Sequence, residues 1–148
     1  MNLTANLLEA EPAPVSEQRI YTTGYEGREV TDLPGLLKHL DAILIDIRFI
    51  PPERPLKWRK DYLKLLLRKR YVHVPVLGNR AWEKSDKIAI FNLSLGIKII
   101  TGLKVNLLLM CECKSEENCH RRIISDKLKE KGMDVEEITE WITNNRVR

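Results

Sequence analysis

The sequence predicts an α/β protein: one domain built on a mainly parallel five-stranded sheet covered by helices on both faces. Three observations carry this expectation. Short apolar runs such as 42–47 and 105–110 are nearly continuous, as in strands buried on both faces. Segments with apolar residues at helical spacing alternate with them, Leu33, Leu36, Leu37 and Leu40 being the clearest case. Polar loops carrying glycine, proline or charge follow the strand runs, at 24–27, 46–48, 77–80 and 111–121.

The elements follow in order. Residues 1–18, with Pro12, Pro14 and three glutamates and no period, read as a flexible leader, and 19–148 as the domain. A first strand at 19–23 ends in Gly24-Tyr25-Glu26-Gly27, where glycine permits a tight turn. Thr31 is positioned to cap a helix that runs to Leu40. The second strand, 42–47, closes on Asp46-Ile47-Arg48, and Pro51-Pro52 stops regular structure beyond it. A helix at 58–69 turns Trp58, Tyr62, Leu66 and Leu67 inward and a stripe of Lys57, Lys60, Lys64 and Arg68 to another face. A third strand at 71–76, a helix at 88–100, a fourth strand at 104–110, a helix at 120–131 closed by Gly132 and a fifth strand at 133–138 complete the alternation.

Bulk properties narrow the function classes. Of the 148 residues 31% are charged and 43% hydrophobic, the profile of a soluble globular chain. No apolar stretch approaches the roughly 20 residues that span a bilayer, and 1–16 lacks a secretory signal pattern. A cytoplasmic protein with reduced thiols is therefore expected, and three cysteines is an odd count for a disulfide framework. Residues 53–70 hold eight basic against two acidic side chains, a local +6 that leaves −2 elsewhere in a chain of net charge +4. Such a patch suits nucleic-acid phosphates or is a solvated helix face.

Parallel strands bring their carboxyl ends to one edge of the sheet, so the four polar segments should meet in one cleft. Cys111 is the candidate nucleophile, or else a small buried hydrophobe. His120 and Arg121 fall in the first turn of a helix, where cations oppose the macrodipole unless they face an anion. Asp46 and Arg48 point to the same sheet face, either as an internal ion pair or as a proton-handling carboxylate beside an anion-binding guanidinium. Arg54 could add a second guanidinium, and Gly24 and Tyr25 border the same edge; His73, within a strand, reads as structural. Cys111, Cys113, Cys119 and His120 offer zinc donors, but their spacing departs from the usual C-x₂₋₄-C pairs, so no metal and no cofactor is assigned. The phosphatase pattern C-x₅-R begins at none of the three cysteines.

Thr23-Gly24-Tyr25-Glu26-Gly27, Ile45-Asp46-Ile47-Arg48 with Pro51 and Arg54, Leu77-Gly78, and Leu109-Met110-Cys111 through Cys119-His120-Arg121 occur in that order. Together they resemble the signature of the family called domain of unknown function 488, over residues 20–138. Cys113 stands where that family often has glutamate. The resemblance implies the α/β fold, with Rossmann-like or rhodanese-like layering, and a site, but no reaction.

The expected function is an intracellular enzyme acting on a phosphate-bearing substrate, a nucleotide or nucleic acid. In that reading Cys111, His120 and Asp46 are catalytic, and Arg48, Arg54, Arg121, Gly24 and Tyr25 bind the anion. The alternatives are a non-catalytic module that binds nucleic acid or a small anion, and rhodanese-like sulfur transfer through Cys111. The sequence assigns no oligomeric state.

Overall fold

Five parallel strands form one sheet in the order β3-β2-β4-β1-β5: β1 Arg19–Gly24, β2 Ala42–Asp46, β3 Tyr71–His73, β4 Asn106–Cys111 and β5 Asp134–Glu137. The structure, a computed structural model, describes residues 17–81, 87–113, 117, 119–143 and 146–147. The leader expected at 1–18 therefore lies almost wholly outside the described residues.

Among the described residues, four α-helices connect the strands: α1 Leu33–Leu40, α2 Lys60–Leu67, α3 Leu93–Thr101 and α4 His120–Glu130. Their faces follow from the order of the strands. The chain moves outward from β1 to β2 to β3, then returns to insert β4 and place β5 on the far edge. Right-handed crossovers put helices on one face during the outward leg and on the other during the return. Leu33, Leu36 and Leu37 of α1 and Leu63 and Leu67 of α2 accordingly pack with Leu44, Leu108 and Met110. Ile97 and Ile100 of α3 and Ile124 and Leu128 of α4 pack with Ile20, Ile45, Leu107 and Leu109. The α/β fold expected from the sequence is the one observed.

The element ends differ from the sequence reading for local reasons. The third strand stops at His73, after which Val74 makes one more backbone bond to Asp46 and Pro75, with its φ preset for a first helical position, opens a 3-10 turn at Pro75–Leu77. Helix α3 begins at Leu93 rather than 88, where the Asn92 side chain accepts a 3.1 Å bond from the Leu95 N–H. Upstream, Ile90 forms an antiparallel bridge to Asn79 instead. Tyr62, expected inside, is 38% exposed, and Leu63 takes the core position. A short antiparallel pair, β6 Ile142–Thr143 and β7 Arg146–Val147, was not anticipated.

Among the described residues, no helix is long and apolar enough to cross a membrane.

Candidate functional site

The five strands of the main sheet are parallel, so β1, β2, β3 and β4 end on one rim at Gly24, Asp46, His73 and Cys111. Backbone pairing continues beyond them: the Tyr25 N–H donates to Cys111 O at 3.0 Å and the Ile47 N–H to Met110 O at 3.1 Å. Gly24 permits this closeness. A Cβ there would sit 1.5 Å from the Cys113 carbonyl oxygen, so no larger residue fits without moving the loop after β4.

On the α1/α2 side of the rim lies a closed polar network. Asp46, with 0% exposure, accepts from Arg48 Nε at 2.8 Å, Arg48 Nη2 at 2.7 Å, the Arg48 N–H at 3.1 Å and the Tyr71 hydroxyl at 2.5 Å. Arg48 Nη1 donates to the Trp58 carbonyl at 2.8 Å and bonds the Tyr25 hydroxyl at 3.1 Å. Burial works against the Arg48 charge, but the hydrogen bonds and charge of Asp46 outweigh it and push its pKa above the ordinary guanidinium value. Burial pushes the Tyr25 phenol up to about 12, and the ring stacks on Trp58 at 4.2 Å. The sequence left Asp46 and Arg48 open between ion pair and proton transfer. With its oxygens occupied by four donors, Asp46 is a positioning residue, and Tyr25 braces the same network.

On the α4 side lies a cluster of soft donors. Cys111 and Cys119, 1% and 2% exposed, have their Sγ atoms 2.9 Å apart. Cys119 is the N-cap of α4, with extended backbone and no side-chain cap bond, so its sulfur is committed to the cluster. His120 Nε2 lies 2.8 Å from the Ile47 carbonyl oxygen, which can only accept, so Nε2 carries the proton. Its Nδ1 lone pair then faces Cys119 Sγ at 3.7 Å. Burial pushes the His120 pKa down, against the Ile47 bond, and favours the neutral ring. Burial likewise pushes the Cys111 thiol up. Cys113 is the exposed thiol, held well below the ordinary thiol range by hydrogen bonds from Cys111 and Cys119, with the Arg121 charge adding to the effect.

Arg121 does not stand where the sequence reading put it. It is 0% exposed and engaged by internal partners at the rim: Nε and Nη2 grip Glu137 at 3.2 and 2.7 Å, and Nη1 donates to Cys113 O at 2.7 Å and Cys111 Sγ at 3.1 Å. One helical step rotates it from His120 toward β5, so its charge is neutralised by Glu137, to which Thr22 also donates. It ties α4 to β5 and to the loop after β4 rather than binding an external anion.

Where the two sides meet there is a cleft of about 190 Å³. Arg48, Asn79, Cys111, Glu112, Cys113 and His120 line it, with Phe49, Ile50 and Pro52 as its apolar wall. The convergence of segments near 48, 79, 111 and 120 expected from the sequence is thus present. Gly24, Tyr25, Asp46 and Arg121 support the cleft without lining it, and Arg54 is exposed outside it. Beyond Pro52 a second groove of about 320 Å³ carries Arg59, Lys60 and Lys64 with Glu53 and Asp61. The sequence reading missed Glu137 and the Ile47 carbonyl, and it placed Asn79 in a converging segment without giving it a role. Only Glu137 had a signal, a carboxylate on a strand expected beside the first.

Comparison with protein-family models, curated proteins and solved structures gives no match to this chain.

Proposed function

We propose that the chain is an enzyme acting on a phosphate-bearing substrate, a nucleotide or nucleic acid, whose reacting group enters the thiol-lined cleft while its phosphates lie toward Lys60 and Lys64. The observation that carries this reading is the adjacency of the two hollows, which share Pro52 as a lining residue: one holds Cys113 and His120, the other exposed lysines. Cys113, the exposed thiol with a lowered pKa, is the nucleophile in place of Cys111. His120, neutral with Nδ1 free of a proton, accepts one, while Asp46 and Arg48 hold the cleft's shape.

Membership of the family named domain of unknown function 488 belongs to the same proposal. Its support is that the motif residues Gly24, Asp46, Arg48, Cys111, His120 and Arg121 form two adjoining networks. A cytoplasmic setting, where thiols stay reduced, belongs to it too.

The test is calorimetric binding of mononucleotides and short oligonucleotides, followed by product analysis. A double Lys60→Glu, Lys64→Glu variant should lose binding, and Cys113→Ser should bind without turnover. Absence of binding to every phosphate-bearing probe, with the protein folded, refutes the proposal. A non-catalytic nucleic-acid module is favoured by one observation, the basic run 53–70. It requires binding that weakens steeply with salt and is untouched by Cys113→Ser.

A further inference from the structure

We infer that Cys111, Cys119 and His120 form a binding site for a thiophilic divalent cation of the zinc class, with its fourth coordination position turned to the cleft. Sγ of Cys111, Sγ of Cys119 and a ring nitrogen of His120 all lie within 4.8 Å of one another, and all three residues are buried. The inference does not depend on the substrate proposed above.

Three features of the geometry carry it. First, the histidine is prepared for ligation. A metal-bound imidazole commonly donates its other N–H to a backbone carbonyl, and His120 Nε2 does so to Ile47 at 2.8 Å, which leaves Nδ1 as the donor atom toward the sulfurs. Second, the spacing fits on one edge and can be opened on the other. Zinc–sulfur and zinc–nitrogen bonds of about 2.3 and 2.0–2.1 Å give a tetrahedral S–N edge of about 3.6 Å, and Cys119 Sγ lies 3.7 Å from His120 Nδ1. The same bond lengths give an S–S edge of about 3.8 Å, so a metal must part the two sulfurs from their 2.9 Å. Cys119 can yield, because its backbone is extended at the N-cap and its sulfur caps no helix N–H.

Third, the charges balance. Two thiolates neutralise a divalent cation, and the neighbouring Arg121 is matched by Glu137 at 2.7 Å. Arg121 Nη1, 3.1 Å from Cys111 Sγ, is placed as the outer donor that orients a thiolate ligand. Binding converts two thiols to thiolates and releases two protons to solvent, with no change of oxidation state. Cys111 and His120 also line the cleft, beside Glu112 and Cys113, so a fourth position turned to it would give the arrangement of three protein ligands and one open position found in catalytic zinc sites. With metal bound, the Nδ1 lone pair serves the cation rather than a proton.

The sequence spacing argued against this site because the usual ligand pairs sit on one short knuckle. Here a strand end and a helix start supply the donors, and the sheet rim closes the distance.

The test titrates the full-length chain, reduced with a non-thiol reductant, with Co²⁺ and then Zn²⁺. Expected are one Co²⁺ per chain, sulfur-to-cobalt charge-transfer absorption in the near ultraviolet, and loss of that band on adding Zn²⁺. Cys119→Ser should weaken binding more than about a hundredfold, and Cys113→Ser by less than about tenfold. Micromolar Co²⁺ and Zn²⁺ that leave the folded, reduced wild type metal-free overturn the inference, whatever nucleotides do. So does affinity unchanged in Cys119→Ser, or lost in Cys113→Ser.

Discussion

His120 Nε2 lies 2.8 Å from the carbonyl oxygen of Ile47, which ties the first residue of α4, a cleft-lining side chain, to the backbone just past β2. The bond fixes the imidazole tautomer and keeps two walls of the site in register. Replacing His120 with Phe strands a buried carbonyl, at a cost of about 1–3 kcal/mol. Urea unfolding of wild type and His120→Phe measures this, and equal midpoints with equal slopes would speak against the bond.

The Asp46–Arg48 pair should be the most sensitive part of the rim. Asp46→Ala leaves the guanidinium buried without its carboxylate, and the expected loss is about 3–5 kcal/mol. Tyr71→Phe removes only the 2.5 Å hydroxyl bond to Asp46, and about 1.5–3 kcal/mol is expected, the range for a hydrogen bond to a charged group. The ranking matters more than either figure. Denaturant curves giving Tyr71→Phe as the worse variant would reject the network as drawn.

Gly24→Ala tests the close approach of β1 to the loop after β4. The added methyl would meet the Cys113 carbonyl oxygen at 1.5 Å, a backbone atom that cannot rotate away. Destabilisation at or above the top of the about 1–3 kcal/mol usual for overpacking is expected, with the thiols of Cys111 and Cys119 becoming more reactive. A neutral Gly24→Ala would mean that the loop lies elsewhere.

His73 sets a pH dependence. Burial, its largest influence, lowers its pKa below 6.5, with Lys60 and Arg48 acting in the same direction and Asp46 and the Arg48 carbonyl against them. The unfolded chain therefore takes up a proton that the native ring resists, so stability is full above about pH 6.5 and falls as pH drops through that value. Unfolding free energy measured between pH 7.5 and 5.5 should decline less in His73→Gln than in wild type. Parallel declines would remove His73 from the account.

The fold was legible because strands buried on both faces must be written as near-continuous apolar runs, as at Leu44–Ile45 and Leu107–Leu108–Leu109. Strand ends near Asp46 and Cys111 carried clear signals, so the position of the rim was legible, and of the expected site residues Arg48, Cys111 and His120 line the cleft. Side-chain direction was not legible. Whether Arg121 faces an external anion or Glu137 depends on one helical step, and Tyr62 and Leu63 exchange places for the same reason. The Ile47 carbonyl that orients His120 is a backbone atom and leaves no trace in residue identity. The metal-type cluster was obscured because the spacing of Cys111, Cys119 and His120 in sequence says little about atoms brought together by a strand and a helix.

The central claim is that one exposed thiol stands at the cleft in front of a buried, mutually bonded pair. Mass-spectrometric footprinting of the folded, reduced protein with iodoacetamide tests it most directly. Cys113 should be alkylated first, with Cys111 and Cys119 protected until denaturant is added. Labelling of Cys111 or Cys119 as fast as Cys113 in the native protein would contradict the account.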